Sequence, residues 1–366
     1  MLTREIAETI VQETSVRLNR NVNIMNDQGI IIASRDSSRL YHIHEGALEV
    51  LKTGMSFSIP SNHDGKWKGS QPGINLPIVF QDQTVGVIGI TGDPEEMKNF
   101  GGLVKMTTEL MIKQAFMVTQ AEWQQRTKEI IIEELLMGSP SFEQIDRRLS
   151  LLSIKFSPPF QTFVIQLKDR SVTNNAIIQR LEETVISTNC IIGFININQI
   201  FIAVFGLTDK QTQTQLDSVY NILKNLNLTF RLAYSTSFTT LDKFRQAYED
   251  CNLALKIGDP LQEILPFAEI EAKALIYQID KYKSERFSNR VLHESIQNFA
   301  PTLEAFFDNN LNMQQAADKL FIHRNTLIYR LNKIKQETGY DPRLFKDALT
   351  LQMAVWIKER SARNEE

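Results

Sequence analysis

The residue pattern predicts a multidomain α+β chain: a small α+β unit, a long connecting helix, an α/β unit, and an all-α module at the end. Three observations predict it. Short β-rich runs separated by turn residues fill residues 21–91. From Phe100 to Met137 a helical pattern runs without proline, its last glycine being Gly102. Beyond Leu303 helix starts and stops recur with no β-rich run between them. The 366 residues allow two or three domains, each with its own core.

Leu2–Arg20 reads as an amphipathic helix with Ile6, Ile10 and Val11 on its apolar side. Asn21–Asn26 and Ile30–Ser34 flank the turn Asp27-Gln28-Gly29, which signals a hairpin. A helix is expected around Arg39–Leu51, carrying His42 and His44. Residues i and i+2 of a helix point to different sides, so this pair does not suggest a metal site. After a loop from Pro60 to Gly73, strands are expected at Ile74–Phe80 and Val85–Thr91. Helix, hairpin, helix, hairpin is the order of a small α+β sensor domain of the PAS or GAF type.

In the long helix, Leu103, Met106, Leu110, Met117, Ile131 and Leu135 keep roughly heptad spacing. Two readings stay open: a signal-carrying helix that pairs across a dimer, or a plain bundle helix of the first unit. Gly138-Ser139-Pro140 ends it. Strands follow at Phe160–Leu167, Cys190–Asn196, Gln199–Phe205 and Phe230–Ser235, with helices near Asn174–Thr188, Asp209–Asn225 and Leu241–Ile257. Ile264–Asn310 reads as helical. The expected domains are 1–137, 141–290 and 291–366.

The chemistry concentrates in the last of these. Asn312 can cap a helix running to Leu320, Phe321-Ile322 makes a turn, and a second helix runs from about His323 to Thr338, stopped by Gly339. Leu327, Leu331 and Ile334 share one face, and Asn325, Tyr329, Asn332, Lys333 and Gln336 share the other, with Thr326 on the shoulder. Arg324 and Arg330 flank the apolar stripe, and no acidic residue lies between His323 and Gln336. The pattern suits a helix in the DNA major groove, amides and hydroxyls facing bases and arginines holding phosphates. A solvated basic helix is the plainer alternative. A last helix from Asp341-Pro342 to Arg360 would lay Leu344, Ala348, Leu351 and Val355 against this module.

With a formal net charge of −3, any DNA affinity has to come from a local basic surface. Cys190 and Cys251 sit in apolar surroundings and read as reduced core residues. No leader-like segment or bilayer-length apolar run is apparent, so a cytoplasmic protein without membrane contact is expected. Phosphate-loop, dinucleotide, zincin and nucleophile-elbow motifs are missing, and the five histidines are scattered. The reading is therefore not an enzyme, with no cofactor and no metal.

Two stretches carry a family resemblance. The run AADKLFIHRNTLIYRLNKIKQETGYDPRLFKDALTL, within Leu303–Val355, closely resembles the C-terminal helix-turn-helix of PucR and carbohydrate diacid regulator transcription factors. That resemblance implies DNA contacts from His323, Arg324, Asn325, Thr326, Tyr329, Arg330 and Lys333. Over residues 2–137, NVNIMNDQGIIIAS, HEGAL, PGINLPI and GVIGITGDPEE resemble the sugar diacid recognition domain. This implies a receptor for small hydroxy-carboxylates such as glucarate, galactarate or glycerate. Arg35, Arg39 and His44 are its candidates for carboxylate, and Ser34, Asn75 and Thr91 for hydroxyls. Asn21 and Asn23 alternate with Val22 and Ile24, so they read equally as the outer face of a strand.

The middle unit resembles the degenerate GGDEF-like domain of these regulators. Its hairpin tip, Ile195-Asn196-Ile197-Asn198-Gln199, carries neither the glycine nor the acid that an active cyclase needs. The expectation is a ligand-responsive regulator, an activator of sugar diacid or glycerate uptake and breakdown genes. It would act as a homodimer or higher homo-oligomer on an operator of two half-sites. The alternatives are a ligand-binding scaffold without DNA binding, and a diacid-processing or cyclase enzyme.

Overall fold

The computed structural model describes residues 2–62, 66–168, 172–184, 189–293 and 298–363. It divides into two compact units, residues 1–126 and 127–366.

In the first unit five antiparallel strands form one sheet in the order β2-β1-β5-β4-β3. These are β1 (Val22–Met25), β2 (Ile31–Ser34), β3 (Phe57–Ile59), β4 (Gly73–Phe80) and β5 (Gln83–Thr91). One face is covered by α1 (Arg4–Leu18) and the start of α3 (Pro94–Leu135), through Ile10, Ile24, Leu76, Ile88, Met97 and Val104. The other face is covered by α2 (Glu45–Thr53), where Ala47 and Val50 meet Met25, Ile31 and Val87. The alternation of Val22 and Ile24 with Asn23 and Met25 along β1 supplies both faces.

Two expectations are corrected in this unit. The helix expected from Arg39 begins only at Glu45: Ser37–Arg39 is a short 3-10 turn, His42 lies outside any helix, and His44 is the α2 N-cap. The strand β3 falls between the expected helix and the expected loop, where the sequence reading placed no element.

The second unit opens with the last residues of α3, where Ile131, Ile132 and Leu135 are buried, and α4 (Phe142–Leu151) follows. Its sheet, ordered β10-β9-β6-β8-β7, comprises β6 (Phe160–Leu167), β7 (Cys190–Asn196), β8 (Gln199–Phe205), β9 (Phe230–Tyr234) and β10 (Ile264–Pro266). All pairings are antiparallel except β9 with β10. Helices α5 (Asn174–Thr184) and α6 (Asp209–Asn225) pack on one face, and α7 (Phe244–Ile257) on the other. Of the helix expected to reach Thr188, residues 185–188 lie outside the described residues. Ile264–Pro266 extends as a strand before α8 (Phe267–Gln278), which corrects the helical reading of that stretch. Cys190 and Cys251 are both buried and form no disulfide.

The C-terminal module gathers α9 (Lys281–Val291), α10 (Ala300–Asp308), α11 (Met313–Lys319), α12 (Arg324–Thr338) and α13 (Phe345–Arg363). They share a core of Leu303, Phe306, Ala316, Ala317, Leu327, Leu331, Ile334, Leu351 and Val355. Leu344 departs from the stripe expected of it: α13 starts after it, and its side chain is exposed. Arg360 donates to the carbonyls of Tyr277 (3.1 Å) and Ile279 (2.8 Å), and Lys273 pairs with Glu359, so α13 is fastened to the end of α8.

Candidate nucleic-acid interface and effector site

The helix-turn-helix is built by local capping. Asn312 accepts from the N–H groups of Gln314 (3.0 Å) and Gln315 (3.1 Å), starting α11. His323 Nδ1 accepts from Asn325 N–H at 3.2 Å, starting α12. Phe321 takes a left-handed φ of 53° in the turn, and Gly339, at φ 77°, ends α12 with its N–H on the Lys335 carbonyl. Ala316 and Ala317 of α11 are small enough to let α12 pack closely, and Leu327, Leu331 and Ile334 are fully buried.

That burial fixes which residues face out. His323, Arg324, Asn325, Thr326 and Tyr329 are all exposed, and they form the first two turns of α12. Arg324 makes no hydrogen bond or ion pair among the described residues. The other basic groups are engaged. Half-buried Arg330 donates to Thr302 Oγ1 of α10 at 3.2 Å, Lys333 lies 3.5 Å from Glu337, and Lys335 lies 3.0 Å from Asp341. Asp341 also takes both arms of Arg343 (2.8 and 3.0 Å). Chiefly through Arg343, its carboxyl is held well below the usual carboxylate range. The turn between α12 and α13 is thus clamped by charge. The signal that sequence reading missed is Phe321, 96% exposed at the tip of the turn.

The residues singled out in the first unit form one group and one outlier. On the α2 face, strand register aligns Ser34, Asn23, Gly89, Asn75 and Phe57 in a row across five strands. Ser34 Oγ donates to Asn23 Oδ1 at 2.6 Å, and both asparagines are buried. Gly89 leaves room between them: a Cβ there would lie 2.8 Å from Asn75 Oδ1. Thr91 stands on the same face, two residues along β5. Its hydroxyl donates to Gln71 Oε1 at 3.4 Å, and Arg39 reaches the same oxygen at 3.3 Å and the Gly69 carbonyl at 2.7 Å.

His44 closes the group from above. Its Nδ1 accepts from Ala47 N–H at 3.2 Å and faces Ser70 Oγ at 3.3 Å, while Ser70 Oγ accepts from Gly46 N–H at 3.1 Å. Burial, and then the positive charge of Arg39, push the His44 pKa down to about 4, so the ring is neutral. Burial also lowers the pKa of Arg39, with Asp36 opposing. Ser34, Arg39, His44, Asn75 and Thr91 therefore surround one polar patch in an apolar sheet. Arg35 does not join them: it is exposed and lines a groove of about 350 Å³ with Glu8, Gln12 and Ser15 of α1. Sequence reading passed over Ser70 and Gln71, which lie in an irregular loop, and left Asn23 as a strand-face alternative.

In the middle unit the β7–β8 tip is an amide network. Gln199 donates to Asn252 Oδ1 (2.7 Å) and accepts from Tyr248 OH (2.9 Å), and Asn196 accepts from Asn198 N–H (3.0 Å). No carboxylate takes part in these contacts.

A capped helix-turn-helix with an exposed polar N-terminal face, following a separate α+β unit, is the architecture of a DNA-binding transcriptional regulator. Family models match in that order: sugar diacid recognition over residues 2–135, a GGDEF-like domain over 137–257, and the PucR C-terminal helix-turn-helix domain over 299–357. The chain is 26% identical to the carbohydrate diacid regulator of Escherichia coli, over 98% of each chain. It is 28% identical to an uncharacterized protein of Haemophilus influenzae, over 98% of this chain and 99% of that one. A shorter match, 30% identical, covers 31% of this chain and 25% of the proline-responsive transcriptional activator PutR of Bacillus subtilis. The chain is thus similar over nearly its whole length to a carbohydrate diacid regulator, and its C-terminal module matches the PucR-type helix-turn-helix of transcriptional regulators.

Proposed function

We propose that this regulator senses a small hydroxy-carboxylate of the glucarate, galactarate or glycerate kind and activates genes for its uptake or breakdown. The observation that carries the reading is the polar patch around Asn75, in which two amides and two hydroxyls stand on the α2 face of an otherwise apolar sheet and half-buried Arg39 reaches over from the neighbouring 3-10 turn. Arg39 is suited to carboxylate, while Asn75, Thr91 and Ser34 are suited to hydroxyls. His44, being neutral, offers a hydrogen bond rather than a charge. Arg35 belongs to this set only if the groove beside α1 is part of the same path.

In this reading residues 1–137 are a PAS/GAF-type sensor, 141–290 a degenerate GGDEF-like spacer, and 291–366 the reader. A homodimer in the cytoplasm presents two α12 helices to two half-sites about 34 Å apart or a multiple of that. His323, Arg324, Asn325, Thr326, Tyr329 and Lys333 contact DNA. Arg330, tied to Thr302, would contact DNA only from the side. Effector binding shifts the reader only as far as the acid prefers one arrangement.

The test is a thermal-shift series on the full chain with glycerate, glucarate, galactarate, glycolate and neutral sugars. A concentration-dependent rise with one acid, lost in Asn75→Ala, is the expected result. A rise unaffected by Asn75→Ala moves the site elsewhere, and no rise with any acid overturns the effector class.

A further inference from the structure

The long helix α3 has two apolar faces over its first half. Val104, Thr108 and Ile112 turn toward the sheet and are buried. Leu103, Met106, Leu110 and Met117 are each between 51% and 59% exposed. At 100° per residue these four fall within about 60° of arc, on the side opposite the buried three. Their spacing of three, four and seven residues is that of a seam repeating every 3.5 residues. A helix covering a sheet needs only its buried stripe. The ridge is bordered on both sides. A groove of about 500 Å³ separates it from α1 at Leu18, and another of about 570 Å³ separates it from Val79 and Phe80 at the end of the β4–β5 hairpin.

We propose that Leu103, Met106, Leu110 and Met117 form a homodimer seam, with α3 packed in parallel against α3 of a second copy. A single helix that carries an apolar ridge between two grooves is complementary to itself, as a two-fold interface requires. A parallel pair stacks each residue on its own counterpart. It also places Lys113, on the same face between Leu110 and Met117, opposite its twin, a polar layer that fixes register at some cost in affinity. The charges beside the ridge are of both signs, Lys113 and Arg17 against Glu13 and Glu109, so the surface favours no strongly charged partner. The choice of a second copy also rests on the regulator reading, because an operator of two half-sites calls for two readers.

Sedimentation velocity on the full chain tests the seam. The wild type should sediment at twice its 42.0 kDa chain mass. Leu103→Lys combined with Leu110→Lys should sediment as a monomer with an unchanged circular dichroism spectrum, its dissociation constant raised at least about a hundredfold. Single Leu103→Cys and Met117→Cys variants should each cross-link to themselves under mild oxidation, since Cys190 and Cys251 are buried. They keep the test alive should the lysine variant fail to fold. A monomeric wild type, or a double-lysine variant that stays dimeric, overturns the seam. Cross-linking only in a mixture of the two cysteine variants overturns the parallel arrangement. A dimer that dissociates as expected yet binds no DNA would count against the regulator reading and leave the seam standing.

Discussion

His44 makes the stability of the first unit depend on pH in a calculable way. Its ring is 3% exposed, its Nδ1 must stay unprotonated to accept from Ala47 N–H, and its pKa falls from 6.5 to about 4. The folded state therefore binds its proton later than the unfolded chain does. The His44 contribution is fully present above pH 6.5, is lost as pH falls toward 4, and changes no further below that. At about 1.4 kcal/mol per unit, the loss over that window is about 3 kcal/mol. His44→Asn keeps a side-chain oxygen able to cap α2 but does not titrate. Urea unfolding would be followed from about pH 7 down to about pH 4 in a chain whose tryptophan signal comes from Trp67 alone, Trp123 and Trp356 being replaced by Phe. Other groups titrate in both proteins, so the quantity of interest is the difference between wild type and His44→Asn. That difference should shrink or change sign by about 3 kcal/mol across the window. Parallel pH curves for the two proteins would refute the argument, because neither burial nor the cap would then be holding the ring neutral.

Other perturbations separate core, reader and sensor. Leu331→Ala opens a cavity under α12 at a fully buried position and should cost about 2–5 kcal/mol, read by urea unfolding of the C-terminal module; a loss well below that would misplace the helix face. Arg324→Ala should leave folding unchanged and make the plot of log affinity against log salt shallower by about one; an unchanged slope removes its phosphate role. Gly89→Ala forces a methyl within 2.8 Å of Asn75 Oδ1, so the thermal-shift response to the effector should fall at least about tenfold in apparent affinity while the helix-turn-helix is untouched. An unaltered response would place the effector away from the Asn23–Asn75 row.

What was legible in the residues tracks how local each feature is. The bounds of α12 are readable to within a residue because His323, Gly339 and the 3.6-residue apolar period act within a turn or two of the chain. The strands β3 and β10 were missed. Each is three residues long, too short to show alternation, and each extends only because Gly73–Asn75 or Leu232–Tyr234 offers it a partner. Arg330 read as a phosphate ligand because the periodicity of α12 puts it beside the stripe. Nothing in that segment shows that Thr302, on another helix, takes its guanidinium. The same distinction governs the sensor. Asn75 and His44 could be nominated from family-like phrases. The row that joins Ser34, Asn23 and Asn75 through Gly89, however, exists only once four strands, from two hairpins well separated in sequence, are in register.

The helix α3 shows how an apolar stripe changes meaning with what stands opposite it. Spacing alone assigns Leu103, Met106, Leu110, Met117, Ile131 and Leu135 to one continuous seam. In the structure the last two are buried among Ile145, Phe201 and Ala233, and the first four are exposed. The two groups therefore answer to different constraints. Substituting Ile131 or Leu135 removes core contacts and must lower the stability of the second unit. Leu110, 57% exposed, belongs to no buried core, so its substitution should act chiefly on whatever covers the ridge. A polar residue at Leu110 that left both stability and association unaltered would show that the ridge is never covered, and the half-exposed leucines and methionines would then have no role in the fold at all.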